Sequence, residues 1–227
     1  MRRHASDTAS VVDPAPEPER AVVVVPTTFE RRALGRIDGP VVVCGPGPSA
    51  VRTWATTAAL PRGTHVIVAG VAGGLRASAS IGLARIVSEV RAPDGRVAAT
   101  FDAGAAWTVV GVDRVVSTPA EKRALAERSG ADIVDMESHA FVAAATEREW
   151  RLTIVRGVSD GVDDALPKGL ASLVTPMGGL RPLRTAAFLA RRPNLIPALR
   201  ELGRRTTLAM RSVRAIVEDV RSPHGAR

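Results

Sequence analysis

Along the first three quarters of the chain, short apolar runs alternate with breaks rich in glycine, proline and charge. Ala21 to Val25, Val41 to Cys44 and His65 to Ala69 are runs of small and β-branched residues, each closed by proline or glycine. That is the pattern of short strands buried on both faces. Leu152 to Val155 is a further run of the same kind, and Ser138 to Arg148 between them is Ala-rich and helical in composition. Strand, helix and strand in this order read as a βαβ unit. The pattern predicts an α/β fold: a three-layer α/β/α sandwich around a mixed, largely parallel central sheet. In such a sheet Glu137, at the start of the helical run, and Asp160, past the last strand, fall at the carboxyl edge, where ligands bind.

The last quarter changes register. From Pro197, Leu199, Leu202, Thr206, Ala209, Met210, Val213, Ile216, Val217 and Val220 recur at three- and four-residue steps, the stripe of an amphipathic helix. A shorter helix is predicted over 181–192. Residues 168–227 hold 12 of the 31 Lys and Arg against three acids, a surplus of nine, which leaves one net negative charge on the rest of a chain whose total is +8. A basic amphipathic helix over 196–221 fits the surface of an anionic membrane, and it equally fits packing on the protein's own sheet with the arginines in water. Nothing aromatic or helix-turn-helix-like accompanies the charge, so nucleic acid is not expected as a partner. Residues 1–20, polar and lacking an apolar block, read as a disordered tail with no secretory signal. The organisation expected is therefore a tail over 1–20, a catalytic domain over 21–167 and basic helices over 168–227, in a cytoplasmic protein that also suits the inner membrane face.

Two carboxylates and two glycine clusters carry the candidate chemistry. Val43-Cys44 runs into Gly45-Pro46-Gly47-Pro48-Ser49-Ala50, and Val68-Ala69 runs into Gly70-Val71-Ala72-Gly73-Gly74-Leu75. Glycine turns let a backbone approach a ligand closely, and the N–H groups of Gly45, Gly47, Gly73 and Gly74 are candidates for cradling an anion, with Arg52 and Arg85 as added charge. The first turn matches G-x-G-x-x-A, so an NAD(P)-dependent oxidoreductase is a rival reading. Pro46 and Pro48 count against it, since they remove donors a pyrophosphate needs. Taken singly, Glu137 reads as a helix cap and Asp160 as a turn cap; taken together they suit a divided job, one holding a hydroxyl pair and the other carrying a proton. The lone Cys44 excludes an internal disulfide and reads as core. No His or Cys cluster has metal-ligand spacing, and no cofactor is implied beyond phosphate as a co-substrate. His139, Phe101 and Trp107 read as ordinary helix and core residues that could also touch a ligand.

These four motifs in this order resemble the nucleoside phosphorylase and nucleosidase superfamily. There a G-x-G turn and a G-x-A-G-G-L turn precede V-x-M-E and a final S-D, here Gly45-Pro46-Gly47, Gly70 to Leu75, Asp135-Met136-Glu137 and Ser159-Asp160. The resemblance covers roughly residues 21–167. It implies that Glu137 binds the ribose hydroxyls, Met136 packs on the sugar, and Asp160, next to substrate-binding Ser159, protonates the purine N7. Nucleosidases of the family also place an acid after the first strand to activate water, for which Glu30 stands as the loose counterpart. The arginine and serine that bring phosphate to the phosphorylases are replaced by Val68 and Val71, so phosphate and water both stay open. Asp113-Arg114-Val115-Val116-Ser117-Thr118-Pro119-Ala120-Glu121-Lys122 and the tail from Leu180 to Arg184 are similar to the hopanoid-associated phosphorylases. That resemblance implies adenine release from adenosylhopane, with Val115 and Val116 lining the base or lipid pocket. The alternatives are a methylthioadenosine or adenosylhomocysteine nucleosidase and an inactive, membrane-associated accessory protein. The family's habit of pairing subunits adds a homodimer.

Overall fold

The computed structural model describes residues 21–101, 106–167, 175, 188 and 190–222. The tail over 1–20 and most of the helix predicted over 181–192 lie outside them. In chain order the elements are β1 (Val22–Val25), α1 (Thr28–Leu34), β2 (Val41–Val43), α2 (Pro48–Thr57), β3 (His65–Gly74), β4 (Ala84–Arg91), β5 (Val97–Thr100), β6 (Trp107–Gly111), α3 (Pro119–Ser129), β7 (Ile133–Asp135), α4 (Ser138–Arg148), β8 (Arg151–Asp160), a 3-10 turn (Pro193–Leu195) and α5 (Ile196–Arg221).

The eight strands form one mixed sheet. β3 is its axis. β1 and then β2 extend it in parallel on one flank, while β8 runs parallel to it along the other from His65 to Gly73. β8 pairs antiparallel with β4, β4 parallel with β6, and β6 parallel with β7. β7 then returns to the tip of β3, antiparallel at Gly73 and Gly74, so β3, β8, β4, β6 and β7 close into a ring, with β5 outside on β4.

Alternation along β1 and β3 builds the three layers. Val22, Val24, Val66 and Val68 face a cluster with Val51 of α2 and Phe141 and Ala144 of α4. Val23, Val25, Ile67 and Ala69 face the other way, onto Leu34 of α1 and Met210, Val213 and Val217 of α5. The predicted sandwich is thus present, with helices on both faces because side chains of a strand alternate between them. The apolar stripe of α5 is consumed by this second layer: Ala209, Met210, Val213 and Val217 are each 0% exposed. Of the two uses the stripe allowed, packing on the protein's own sheet is the one observed, and its exposed arginines include Arg200, Arg204 and Arg211.

Two expectations need correction. The glycines after Ala69 do not break the strand: β3 continues through Gly70 to Gly74, because hydrogen bonds to β8, and to β7 at the tip, hold the backbone extended despite the residue type. And β7–α4–β8 is not a parallel βαβ unit. β7 runs opposite to β3 while β8 runs with it. Since β7 spans only Ile133–Asp135 and attaches at the tip of β3, its end still arrives beside the end of β8: Val134 and Asp160 flank Gly73 on either side.

Met210 is buried among strand residues of this layer, so Met210→Ala is expected to cost about 2–5 kcal/mol of unfolding free energy, read by urea denaturation. Arg211→Ala on the exposed face should change it by less than about 0.5 kcal/mol.

Candidate functional site

The β7–β3–β8 junction opens onto a cavity of about 290 Å³. Pro26 and Thr27 of the β1–α1 connection and Phe29 and Glu30 of α1 line it, with Val71 to Gly73 of β3, Val134 to Glu137, Ser159 and Asp160. Val112, Arg114, Val115, Val116, Leu166 and Thr206 complete the wall. Eight of the residues singled out in the sequence therefore meet here: Glu30, Gly73, Val115, Val116, Met136, Glu137, Ser159 and Asp160. Of the glycines proposed to hold an anion, Gly73 reaches the cavity, while Gly45, Gly47 and Gly74 are not among its lining residues. The Gly47 N–H is taken up by Glu137 Oε1 at 2.7 Å.

Neither key carboxylate serves as a cap. At the start of α4 the Asp135 Oδ1 accepts from the N–H groups of Glu137 and Ser138 at 3.3 and 3.0 Å, and the Ser138 hydroxyl donates to Asp135 Oδ2. Glu137 is the N-cap residue by position, yet its side chain makes no capping bond and turns to the cavity. After β8 the same division recurs: the Gly161 N–H donates to Asp164 Oδ2 at 2.8 Å, leaving Asp160 to other partners. Ser159 Oγ donates to Asp160 Oδ1 at 2.8 Å, and Lys122 Nζ donates to Oδ2 at 2.5 Å. Glu30, although in the first turn of α1, is withdrawn from solvent. It is 5% exposed; its Oε2 accepts from Thr27 Oγ1 at 2.6 Å and its Oε1 from the Val71 N–H at 2.9 Å.

A buried arginine ties these acids together. Arg156 of β8 is 0% exposed; its Nε donates to Asp135 Oδ2 at 2.6 Å and its Nη2 lies 3.9 Å from Glu137 Oε2. Gly70 is required beneath it, since a Cβ there would collide with Arg156 Nη1 and come within 2.9 Å of Glu30 Oε1. Gly73 likewise leaves room for Asp160, whose Oδ2 would stand 3.1 Å from an added Cβ. Burial, then the charges of Asp135 and Glu30, push Glu137 up to about 7 against the pull of Arg156 and the Gly47 N–H. Burial also raises Glu30 above the usual carboxylate range, opposed by Thr27, Val71 and Arg156. Burial works against the Arg156 charge, and Asp135, Glu137 and Glu30 outweigh it. Cys44, near Glu137, is pushed up to about 12 by burial, which makes it an inert core thiol.

Sequence reasoning missed Arg156, Asp135 and Lys122. A lone arginine inside an apolar strand run was the available signal for Arg156, because a charge at such a position needs buried partners. Asp135 carried a weaker one, the capping spacing to Ser138. Lys122 carried only its place at the end of the Asp113 to Lys122 motif, with nothing to give it a role: Glu121-Lys122-Arg123 looks like the solvated face of a helix. His139 bonds Asp113 at 3.0 Å, Arg52 bonds Ser49 at 3.3 Å, and neither of them, nor Phe101, Trp107 or Arg85, lines the cavity. Among the described residues no group of three or more His, Cys, Asp or Glu is placed to hold a metal ion, and no helix is long and apolar enough to cross a membrane.

Arg156→Met should leave Asp135 and Glu137 buried without their counter-charge and cost about 3–5 kcal/mol of stability. A pH dependence follows from Glu137. Its folded pKa lies above the unfolded value, so the folded state binds more protons, and stability falls as pH rises from 4.5, the ordinary glutamate value, to about 7. Glu30 adds in the same direction. Glu137→Gln is expected to flatten this loss, so its melting temperature should gain on the wild type's between pH 5 and 7.

Comparison with known proteins agrees with this architecture. Residues 106–175 match the family model of the Phosphorylase superfamily. The fold is that of solved nucleosidases. A 5'-methylthioadenosine/S-adenosylhomocysteine nucleosidase from Neisseria meningitidis aligns with TM-score 0.57 and 16% identity over 89% of this chain and 99% of that one. A Helicobacter pylori enzyme of the same name aligns with TM-score 0.55 and 12% identity over 88% and 98%. Futalosine hydrolase of Helicobacter pylori gives TM-score 0.55 and 13% identity over the same shares. Among curated protein sequences no match is found.

Proposed function

We propose that the protein cleaves the N-ribosidic bond of a purine nucleoside, with water as the nucleophile. The observation that carries this reading is that Glu30, Glu137 and Asp160 share one cavity while their neighbours Asp135 and Asp164 do the capping. The match to the Phosphorylase superfamily and the fold shared with proteins named nucleosidase and hydrolase support it. As the C1′–N9 bond breaks, its electron pair moves onto the purine and Asp160 delivers a proton to N7. Glu137 accepts hydrogen bonds from the ribose hydroxyls and steadies the cationic sugar, with Met136 against its face. Glu30 takes the proton of the water that attacks C1′. Its raised pKa suits it to that work, since a general base is most effective when poised near the operating pH.

Water is preferred to phosphate on electrostatic grounds. Around the place of attack Arg156 faces three carboxylates, Asp135, Glu137 and Glu30, and Lys122 is taken by Asp160. A phosphate dianion would add negative charge where carboxylates already outnumber cations. Apolar side chains share the wall with Arg114: Phe29 and Val115 are 43% and 37% exposed, and Val112 and Leu166 line it beside them. This favours an apolar 5′ substituent, for which adenosylhopane is the proposed substrate and methylthioadenosine the alternative. The exposed arginines of α5 are the face that would meet an anionic bilayer carrying such a lipid.

The test is adenine release from both nucleosides in phosphate-free buffer, followed by chromatography. Wild type should release adenine without phosphate, and Asp160→Asn and Glu30→Gln should each lower kcat by about 10²–10⁴-fold while keeping the fold. A strict need for phosphate would make the enzyme a phosphorylase. Release from methylthioadenosine alone would remove the lipid, and no release from either would sink the reading.

A further inference from the structure

We infer that Lys122 is the proton reservoir behind Asp160, a positioning residue that reloads the acid from inside the protein. The inference rests on the reading of Asp160 as the acid that protonates the leaving purine.

Lys122 is on the second turn of α3, and this helix is firmly set. Thr118 and Glu121 form a reciprocal capping box at its start, and Gly130 ends it in the left-handed region at φ 67°. Glu121 turns outward to Arg114, at 2.7 Å, whereas Lys122 turns inward and is 0% exposed. A lysine there is costly unless every donor is used. Here they are: Nζ donates to Asp160 Oδ2 at 2.5 Å, to the Gly161 carbonyl at 2.6 Å and to the Asp164 carbonyl at 3.1 Å. Three acceptors match the three N–H bonds of an ammonium, where a neutral amine offers only two. Asp160 is matched in the opposite sense, with Oδ2 accepting from Lys122 and Oδ1 from Ser159. In the resting protein the pair is therefore ammonium and carboxylate, and the proton the purine needs is on nitrogen.

An acid that rests as a carboxylate has nothing to give, so it must be loaded during the reaction. As the C1′–N9 bond breaks, the purine becomes a strong base at N7. The ammonium of Lys122 passes one proton to Asp160 Oδ2, and Asp160 passes a proton to N7. Lys122 is left as a neutral amine, the form that burial favours. Water meanwhile gives its proton to Glu30 as oxygen bonds C1′. After release Glu30 loses that proton and Lys122 regains one from solvent, so charge and atoms balance over the cycle.

The groups facing the pair are already engaged. Asp164 is bonded to Arg205 at 2.9 Å, and Glu201 takes the other side of Arg205 at 2.8 Å. Asp163 is bonded to Arg123. Glu30, Glu137 and Asp135 line the same cavity and are held by Arg156. Of the cations near the cavity, Lys122 is the one that touches Asp160.

The experiment is the pH profile of adenine release by wild type, Asp160→Asn, Lys122→Gln and Lys122→Met, with melting curves for each. With the proton stored on lysine, wild-type kcat should hold well past the ordinary carboxyl range. The lysine variants must draw the proton from solvent. At pH 7.5 their kcat should fall by about 10²-fold or more with KM changed less than about threefold. Their alkaline limb should move toward acid by at least about two pH units, so that lowering the pH restores turnover, while the acid limb set by Glu30 stays in place. An equal loss at every pH would make Lys122 a structural prop and overturn the inference, and an unchanged profile would do the same. Should both variants fail to fold, the wild-type limb decides: a decline starting near pH 5 marks an ordinary carboxyl acid and ends the proposal. If wild type releases no adenine, or Asp160→Asn leaves release intact, the functional reading beneath has failed instead.

Discussion

The site depends on one guanidinium. Arg156, fully buried in β8, draws Asp135 from the end of β7, Glu137 from the start of α4 and Glu30 from α1 toward a single point. Without a cation there, mutual repulsion would separate these acids or force all of them neutral. Burying that cation is costly by itself, and the cost is met only because the acids surround it. The demand runs both ways, so the cavity wall is held by electrostatic necessity as much as by packing. Gly70 belongs to the same arrangement, since only a residue without a side chain lets β3 pass beneath the guanidinium.

Carboxylates here come in pairs with separate duties. Asp135 and Asp164 satisfy the N–H groups of a helix start and a turn, and Glu137 and Asp160 face the cavity. Capping is a strong call on any nearby acid. An acid next to a helix start stays available for other work only when another acid answers that call. This is why each motif carries a second acid within a few residues, and why reading either key carboxylate as a cap fails in the three-dimensional arrangement.

Much of this was legible in the sequence, for identifiable reasons. The strand runs of β1, β2 and β3 and the bounds of α4 follow from β-branched clustering and alanine content. Glu137, Met136, Ser159 and Asp160 were reachable through their motifs, and Glu30 through its distance from the first strand. Gly70 to Gly74 misled because local propensity says turn, and only the pairing of β3 with β7 and β8 overrides it. The antiparallel sense of β7 was hidden because ring closure is set by strands far apart in sequence. Lys122 was illegible because its burial depends on the loop after β8, whose carbonyls no local pattern reveals.

α5 contributes more than a layer. It covers Val23, Val25, Ile67, Ala69 and Val155 and also supplies Thr206 to the cavity wall. A chain still being synthesised therefore presents the part of that sheet face beneath α5 to water until residues near 217 have left the ribosome. The carboxylates of the cavity are encoded well before then, but their enclosure is not. Nascent chains of this protein therefore pass through an interval in which a β-branched surface later covered by α5 is open to chaperones or to one another.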